Sequence, residues 1–320
     1  MYALGRRTVD VGPAVTSETT PQTTPGQAHS IALNDDDLGG IFSGRITDWA
    51  GNFGGTNSVI NPETGSAYAV VKSPITVIYR SDGSGATELL TRHLAAVCTT
   101  VNTAWRATFV DSLTFTDSFQ GGVVPSNFIA ASGDGDMRRQ LASYASAGMA
   151  AVAYLARNYT NTFLAPSSTV VTSAGALQLP VASLVNTANG TCYAPTYANA
   201  TVALRNITPP AVRLAAANPT RWADSSSGIS NTTSGYPVSG MSQIILSQCY
   251  ADPNVKTAVH DFLNAHFTNA SFASIVHGNG FDTVPSIYQT AISNDFLSNA
   301  NTWNLDIGNT SVCTGTVTGR

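Results

Sequence analysis

A short segment around residue 80 has residue types whose order suits anion chemistry. Arg80 is followed by Ser81, Asp82, a glycine, Ser84 and Gly85. Arginine is a planar, two-pronged donor, and a glycine loop at a helix start leaves backbone N–H groups at the positive end of the helix dipole. The segment therefore predicts an oxyanion site. The alternative is a strand-to-helix turn that needs glycine and serine only for its geometry.

Two familiar catalytic loops are excluded at this position. No Gly-Lys-Ser/Thr follows the glycines, so the segment is not a Walker A loop and implies no nucleoside triphosphate. Asp82 stands where the G-x-S-x-G elbow of a serine hydrolase needs its first glycine. The five histidines are scattered, and His93, on the helix predicted after the loop, is expected at the surface.

A second glycine loop, Ser-Gly-Asp-Gly at residues 132–135, precedes a helix expected from about Met137 and could face the same cleft. Its aspartates could suggest calcium, but the EF-hand spacing and the closing glutamate are missing, so a turn is the preferred interpretation. The three aspartates at 35–37 are likewise interpreted as helix-capping residues rather than metal ligands. No metal or other cofactor is expected.

Alternating strands and helices must position these loops. A β-branched and aromatic run at 75–79 predicts a strand, and the amphipathic pattern at 86–97 predicts a helix. A short buried strand is expected through Tyr154, another at 241–246, and a strongly patterned helix at 253–267. This alternation is typical of an α/β fold.

Composition narrows the function classes. The chain has 320 residues, of which 43% are hydrophobic and only 11% charged, and its net charge is −4. An acidic chain without a basic run lacks the electrostatic footprint of a nucleic-acid binder, so no nucleic-acid partner is expected. No stretch approaches 18 apolar residues, so no transmembrane segment is expected either.

The cysteines indicate an oxidising compartment. Cys98, Cys192, Cys249 and Cys313 stand far apart, without the pairs or histidines of a zinc site, so disulfides are preferred. Four cysteines allow three pairings, and their spacing does not choose among them. The first residues are too polar to be an export signal, so a signal is expected either to have been removed or to lie upstream.

Several motifs together resemble the phosphate-binding subunit of bacterial phosphate ABC transporters, in its DING-type branch, which is also similar to secreted low-phosphate alkaline phosphatases. The motifs are IFSGRITDW at 41–49, ITVIYRSDGSGATELLTRHL at 75–94, YPV at 236–238, SQCYAD at 247–252 and IGNTSVC at 307–313. The resemblance implies an α/β fold of the class II periplasmic-binding-protein type, with two lobes joined by a hinge. The first lobe is expected to be truncated at the N-terminus. The expected domains are an irregular arm at 1–28, a main lobe at 29–235, and a segment at 236–320 that returns to the first lobe.

The resemblance also implies a ligand set. Phosphate is expected to bind Arg80, Ser84, Gly85 and Ala86, with Asp82 orienting the arginine and with Ser132 and Gly133 across the cleft. The family usually has threonine where this chain has Ala86, so one hydroxyl donor is lost.

The family setting also implies a disulfide between Cys249 and Cys313. The DING-type branch has a cysteine where this chain has Gly39, which leaves Cys98 without its family partner. Cys98 and Cys192 are left as an uncertain pair.

The expected function is the binding of inorganic phosphate for ABC-type uptake, with a membrane permease as partner. The protein is expected to be periplasmic or secreted and monomeric. One alternative is a secreted phosphomonoesterase of the DING type, similar to alkaline phosphatase. Another is a truncated copy in which phosphate binding is impaired.

Overall fold

The computed structural model describes residues 2–6, 32–51, 59–69, 71–98, 107–156, 159, 181–224, 229–278 and 281–315. The strands are β1 (Tyr2–Arg6), β2 (Ala32–Leu33), β3 (Thr76–Arg80), β4 (Phe128–Ala131), β5 (Ala151–Ala156), β6 (Ser183–Asn186) and β7 (Thr191–Tyr193). The helices before residue 230 are α1 (Asp35–Phe42), α2 (Gly85–Val97), α3 (Gly133–Ser146), α4 (Tyr197–Leu204), α5 (Arg213–Ala216) and α6 (Pro219–Asp224). Those after it are α7 (Pro253–Thr268), α8 (Ala270–Gly278), α9 (Ser286–Ile292) and a π-helical turn (Ser293–Leu297).

The larger sheet has the strand order β1-β5-β3-β4. β3 runs parallel to both neighbours, while β1 pairs antiparallel with β5 at the edge. The chain passes from β3 through α2 to β4, and from β4 through α3 to β5. The alternation predicted from the sequence is therefore a run of β-α-β units, and in such units the helix starts lie at the carboxyl edge of the sheet.

Burial explains why the central strands are continuous apolar runs. Val77 and Ile78 of β3 are fully buried, and β5 is buried from Ala151 to Leu155. Strands that are covered on both faces need no polar alternation. Phe115 stacks on Tyr154 with ring centroids 5.9 Å apart, and it contacts Phe42 edge-on.

The smaller sheet has the order β2-β6-β7, with β2 parallel and β7 antiparallel to β6. α1 follows β2 and begins at a capping box, in which Asn34 accepts from the Asp37 N–H and the Asp37 carboxylate accepts from the Asn34 N–H. The aspartates at 35–37 thus act as helix-start residues, as expected. Burial raises the pKa of Asp37 to about 6.

The expected surface position of His93 is wrong. His93 is buried on α2, with Nε2 2.9 Å from Asp35 Oδ1 and Nδ1 2.9 Å from the Ser230 carbonyl oxygen. Thr187 donates to the second oxygen of Asp35. Both ring nitrogens have partners, so a polar ring can occupy the buried face of the helix at little cost.

The strand predicted at 241–246 is absent. These residues have no regular secondary structure, and Ile245 is 84% exposed. A strand needs a neighbouring strand to pair with its backbone, and the described residues offer none beside this segment. The expected burial is wrong as well, since residues 244–246 are exposed along a cleft of about 720 Å³ that Leu263, Ile275 and Tyr288 also line.

Other boundaries shift only slightly. α2 begins at Gly85, α3 begins at Gly133 rather than near Met137, and α7 ends at Thr268. The predicted N-terminal arm starts with a strand, and residues 7–28 lie outside the described residues. Among the described residues, no helix has both the length and the apolar character needed to span a bilayer.

The cysteines form one bond. Cys249 and Cys313 are joined by a disulfide, with their Cα atoms 5.5 Å apart, which confirms the pairing implied by the family setting. Cys98 and Cys192 are free thiols and half-buried, so they do not form the pair that was left uncertain. Burial raises the pKa of the Cys98 thiol to about 12.

Candidate anion site

The candidate site begins where β3 ends. Arg80 is the last residue of the strand, and only 10% of its side chain is exposed. The strand pairing places it directly beside Ala131, the last residue of β4. Ser81 donates both its N–H and its hydroxyl to the Ala131 carbonyl, at 2.9 and 3.1 Å. The two glycine loops therefore leave the sheet side by side.

Asp82 fixes the direction of the guanidinium. Its Oδ1 accepts from Arg80 Nε at 2.7 Å, and its Oδ2 accepts from Nη2 at 2.5 Å. This is a two-pronged pair of the strong, directional kind. The hydrogen bond from Arg80 holds the pKa of Asp82 well below its usual range, and the same bond raises the pKa of Arg80. Both groups stay charged across the physiological range.

The second glycine loop reaches the same pair. The Gly133 N–H donates to Asp82 Oδ1 at 3.0 Å, and Gly133 has a φ of +75°, in the left-handed region that favours glycine. The Ser132 N–H donates to Asp136 Oδ2 at 3.0 Å, while the Ser132 side chain makes no cap to α3. Residues 133–135 are already the first residues of α3, so the expected turn is instead the start of that helix, and the Gly133 N–H places this start beside the first loop.

Asp134 is a further neighbour of Arg80. The sequence pattern around this residue indicates only a turn. Its Oδ1 lies 3.1 Å from Arg80 Nη1, and its side chain is 17% exposed. Burial raises the pKa of Asp134, while the charge of Arg80 opposes that shift. The guanidinium therefore faces two carboxylates, one on each glycine loop.

Tyr154 supports the strand end from β5. Its buried hydroxyl accepts the Arg80 N–H at 3.0 Å and lies 2.9 Å from Thr87 Oγ1. One phenol thus links β5, β3 and the first turn of α2. Burial raises the pKa of Tyr154, so the hydroxyl stays protonated and its hydrogen-bonding role is constant.

The start of α2 supplies the remaining predicted residues. Ser84 is the N-cap residue, and its Oγ accepts the Ala86 N–H at 3.1 Å. This N–H, which Ala86 would need in its expected role as a phosphate ligand, is therefore already used by the cap. Gly85 is exposed, and no described residue accepts its N–H. Arg80, Asp82, Ser84 and Gly85 are thus gathered at one helix start.

Among the described residues, no group of three or more histidine, cysteine, aspartate or glutamate side chains is arranged to hold a metal ion. Sequence reasoning missed Asp134 and Tyr154 as neighbours of Arg80. The Gly-Asp-Gly pattern drew attention to Asp134. The parallel pairing of β3 with β4 and β5, which brings both residues to Arg80, has no local sequence signal.

Fold and site together define an α/β protein with an arginine and two helix starts at the carboxyl edge of parallel strands, which is the usual ligand-binding edge of such sheets. A family model described as a PBP superfamily domain matches residues 13–208. The chain belongs to this superfamily.

Two curated relatives match nearly the whole chain. A prokaryotic "Phosphate-binding protein" is 32% identical over 96% of this chain and 77% of its own length. "Alkaline phosphatase L" of Pseudomonas aeruginosa strain PAO1 is 29% identical over 95% of this chain and 70% of its own length.

Solved structures of phosphate-binding proteins have a similar fold. An ancestral soluble variant of the human phosphate binding protein matches with a TM-score of 0.71 and 31% identity, over 98% of this chain and 74% of its own. A high-affinity periplasmic phosphate-binding protein, solved bound with phosphate, matches with a TM-score of 0.68 and 27% identity, over 99% and 74%. The predicted α/β fold of the periplasmic-binding-protein type is confirmed.

Proposed function

We propose that this chain binds inorganic phosphate at the Arg80 site, and that it does so outside the cytoplasm to supply an ABC-type transporter. The observation that carries the proposal is the Arg80 guanidinium, held by Asp82 beside the start of α2. A tetrahedral oxyanion matches a planar fork of N–H donors next to an exposed backbone N–H. The relatives named as phosphate-binding proteins support phosphate as the anion.

Three of the four predicted ligands have a role in this proposal, because the Ala86 N–H is already taken by the helix cap. Arg80 supplies charge and donors, Gly85 supplies a backbone N–H, and Ser84 supplies a hydroxyl that can donate to the anion while its oxygen caps Ala86. Asp82 orients the arginine, and Gly133 orients Asp82. Phosphate is then held by donors alone, and no metal is required.

We also propose a boundary between the main lobe and the C-terminal segment. Tyr236 and Val238 are buried in the same core as β3 and β5. Beyond Gly240, the described residues contribute no strand to either sheet. We therefore put the boundary after Gly240, a few residues beyond the one expected from the sequence between residues 235 and 236.

Replacing Arg80 tests the site. Isothermal titration of phosphate into Arg80→Ala should show a loss of at least about 100-fold in affinity, because two charge-assisted hydrogen bonds are worth about 1.5–3 kcal/mol each. Arg80→Lys should bind with intermediate affinity, since it keeps the charge but not the fork.

The matched control is Arg92→Ala. Arg92 lies on α2, where it pairs with Glu88 and with Asp111 away from the site. Arg92→Ala removes the same charge from the same region as Arg80→Ala. Its affinity for phosphate should change less than twofold. Equal binding by Arg80→Ala and wild type would place the phosphate site elsewhere.

A phosphomonoesterase is the second candidate, favoured by the relatives named alkaline phosphatase L. Two hydroxyls in the first turn of α2 are already engaged, Ser84 with the Ala86 N–H and Thr87 with Tyr154. This arrangement favours binding over nucleophilic attack. Turnover of a chromogenic phosphomonoester that is lost in Arg80→Ala and retained in Arg92→Ala would reverse the preference.

A further inference from the structure

Arg80 contacts two carboxylates, so fewer of its N–H groups are available to a bound anion than if it paired with Asp82 alone. A guanidinium has five N–H groups, and Asp82 takes one from Nε and one from Nη2. Nη1 lies 3.1 Å from Asp134 Oδ1. Three N–H groups remain, two on Nη1 and one on Nη2, and an anion that binds at Nη1 therefore stands beside a carboxylate of the protein itself.

The two carboxylates are held differently. Asp82 makes a two-pronged pair and also accepts the Gly133 N–H, so it is fixed in place and in charge. Asp134 has one contact with the arginine and accepts the backbone N–H of Ala156 at the end of β5. Its pKa is raised by burial, whereas that of Asp82 is lowered. Of the two carboxylates, Asp134 is therefore the one that an anion can displace from Arg80.

Few other charged groups near Asp134 could offset the repulsion between its carboxylate and a bound anion. Arg80 and Asp82 face it from β3 and the following loop, and Tyr154 faces it from β5. On its own helix, Asp136 pairs with Arg139 at the surface, and Arg138 donates to the Tyr159 carbonyl oxygen. A bound anion beside Arg80 would therefore stand close to two carboxylates and one cation.

We propose that Asp134 competes with the anion for Arg80, so that phosphate binding is accompanied by uptake of a proton on the Asp134 carboxylate. The proton comes from the solvent. Once protonated, the carboxyl group no longer repels the anion, and its O–H becomes a donor to an anion oxygen. Asp134 is then a specificity-determining residue that sets how affinity depends on pH. This inference rests on the proposed phosphate site.

The test compares wild type with Asp134→Asn, which keeps the shape and removes the charge. At pH 8, phosphate should bind Asp134→Asn about tenfold more tightly, because repulsion between charges a few ångströms apart is worth at least about 1.4 kcal/mol in a half-buried site. At pH 5 the ratio of the two affinities should approach one. Titration of phosphate itself affects both proteins equally and cancels in the ratio.

A proton count gives a second readout. Calorimetry at pH 8 in two buffers of different ionisation enthalpy should show wild type taking up more protons per phosphate than Asp134→Asn, by up to one. Asp136→Asn is the matched control, since it removes the same charge from the same helix and keeps an oxygen for the Ser132 N–H. It should follow wild type within about twofold. If Asp134→Asn does not fold, Asp134→Ser removes the same charge and is compared with wild type in its place.

The outcomes separate the two proposals. Equal affinities and proton counts in wild type and Asp134→Asn, with Arg80→Ala still abolishing binding, would overturn the role of Asp134 and leave the phosphate site intact. Absence of phosphate binding in wild type at both pH values would overturn the proposed function itself.

Discussion

At the scale of single residues, Gly39 shows how one missing side chain leaves a thiol unpaired. A Cβ atom added at Gly39 would lie 2.3 Å from Cys98 Sγ and 3.1 Å from its Cβ. Cys98 Sγ occupies the space where a side chain at 39 would stand. The sequence resemblance, with cysteine at this position in the DING-type branch, has a direct spatial counterpart here.

Gly39→Cys should therefore form a disulfide with Cys98 under oxidising conditions. The added Cβ is somewhat closer to Cys98 Cβ than the mean of about 3.8 Å in disulfides, so α1 needs to move only slightly. Closing a loop of roughly 60 residues should raise the free energy of unfolding by up to about 4 kcal/mol. Urea unfolding with and without reductant measures the gain, and mass spectrometry identifies the pair.

Gly39→Ala is the control for this variant. It adds the clash without the bond, so it should lower the free energy of unfolding by about 1–3 kcal/mol, with or without reductant. A Gly39→Cys protein that stays fully reduced in oxidising buffer, or one no more stable than Gly39→Ala, would contradict the proximity of Cys98 to residue 39.

At the scale of secondary-structure elements, Tyr154 joins three of them at the anion site. Its hydroxyl is shared between β3 and α2 while its ring packs against Phe42 and Phe115. The direction in which Arg80 leaves the sheet therefore depends on a residue that lies 74 positions later in the chain.

Tyr154→Phe should destabilise the protein and weaken phosphate binding together. Loss of the hydroxyl leaves the buried Arg80 N–H and Thr87 hydroxyl without this partner, at a cost of about 1–3 kcal/mol. Chemical unfolding and phosphate titration measure the two effects. Tyr144→Phe, on α3 with no described partner for its hydroxyl, should change neither by more than about 0.5 kcal/mol. If the two variants behave alike, the Tyr154 hydroxyl has no such linking role.

At the scale of the whole molecule, the part of the chain beyond residue 240 depends on a different kind of support. Its helices α7 to α9 bury few apolar side chains, and Phe262, Ile275 and Ile287 are about half-exposed. The Cys249–Cys313 disulfide ties both ends of this segment together across 64 residues. The main lobe relies instead on its sheet and aromatic core.

Reducing this disulfide should destabilise the C-terminal helices selectively. In the chain-entropy account, a loop of this length contributes about 4 kcal/mol. Hydrogen exchange after reduction, or in the double variant Cys249→Ser with Cys313→Ser, should rise in α7 to α9 and stay unchanged in β3 and β5. A uniform rise across both parts would show that the chain unfolds as a single cooperative unit.

The sequence by itself determined what depends on neighbours along the chain. The strand, glycine loop and helix around Arg80 follow from periodicity and from glycine and serine at fixed positions, and they stand within a residue of the prediction. Asp82 lies two residues from the arginine that it orients, and that role followed from the family resemblance. Family motifs added the Cys249–Cys313 bond, which spacing alone left open.

Only the tertiary structure decided what depends on contacts between distant segments. Asp134 meets Arg80 because β4 pairs beside β3, and His93 is buried because Asp35 and Ser230 supply partners for its ring. The apolar pattern at 241–246 does not become a strand, since a strand needs a second backbone beside it. Periodicity reports which faces of a segment are apolar, whereas pairing and burial are properties of two segments, and one segment does not specify its partner.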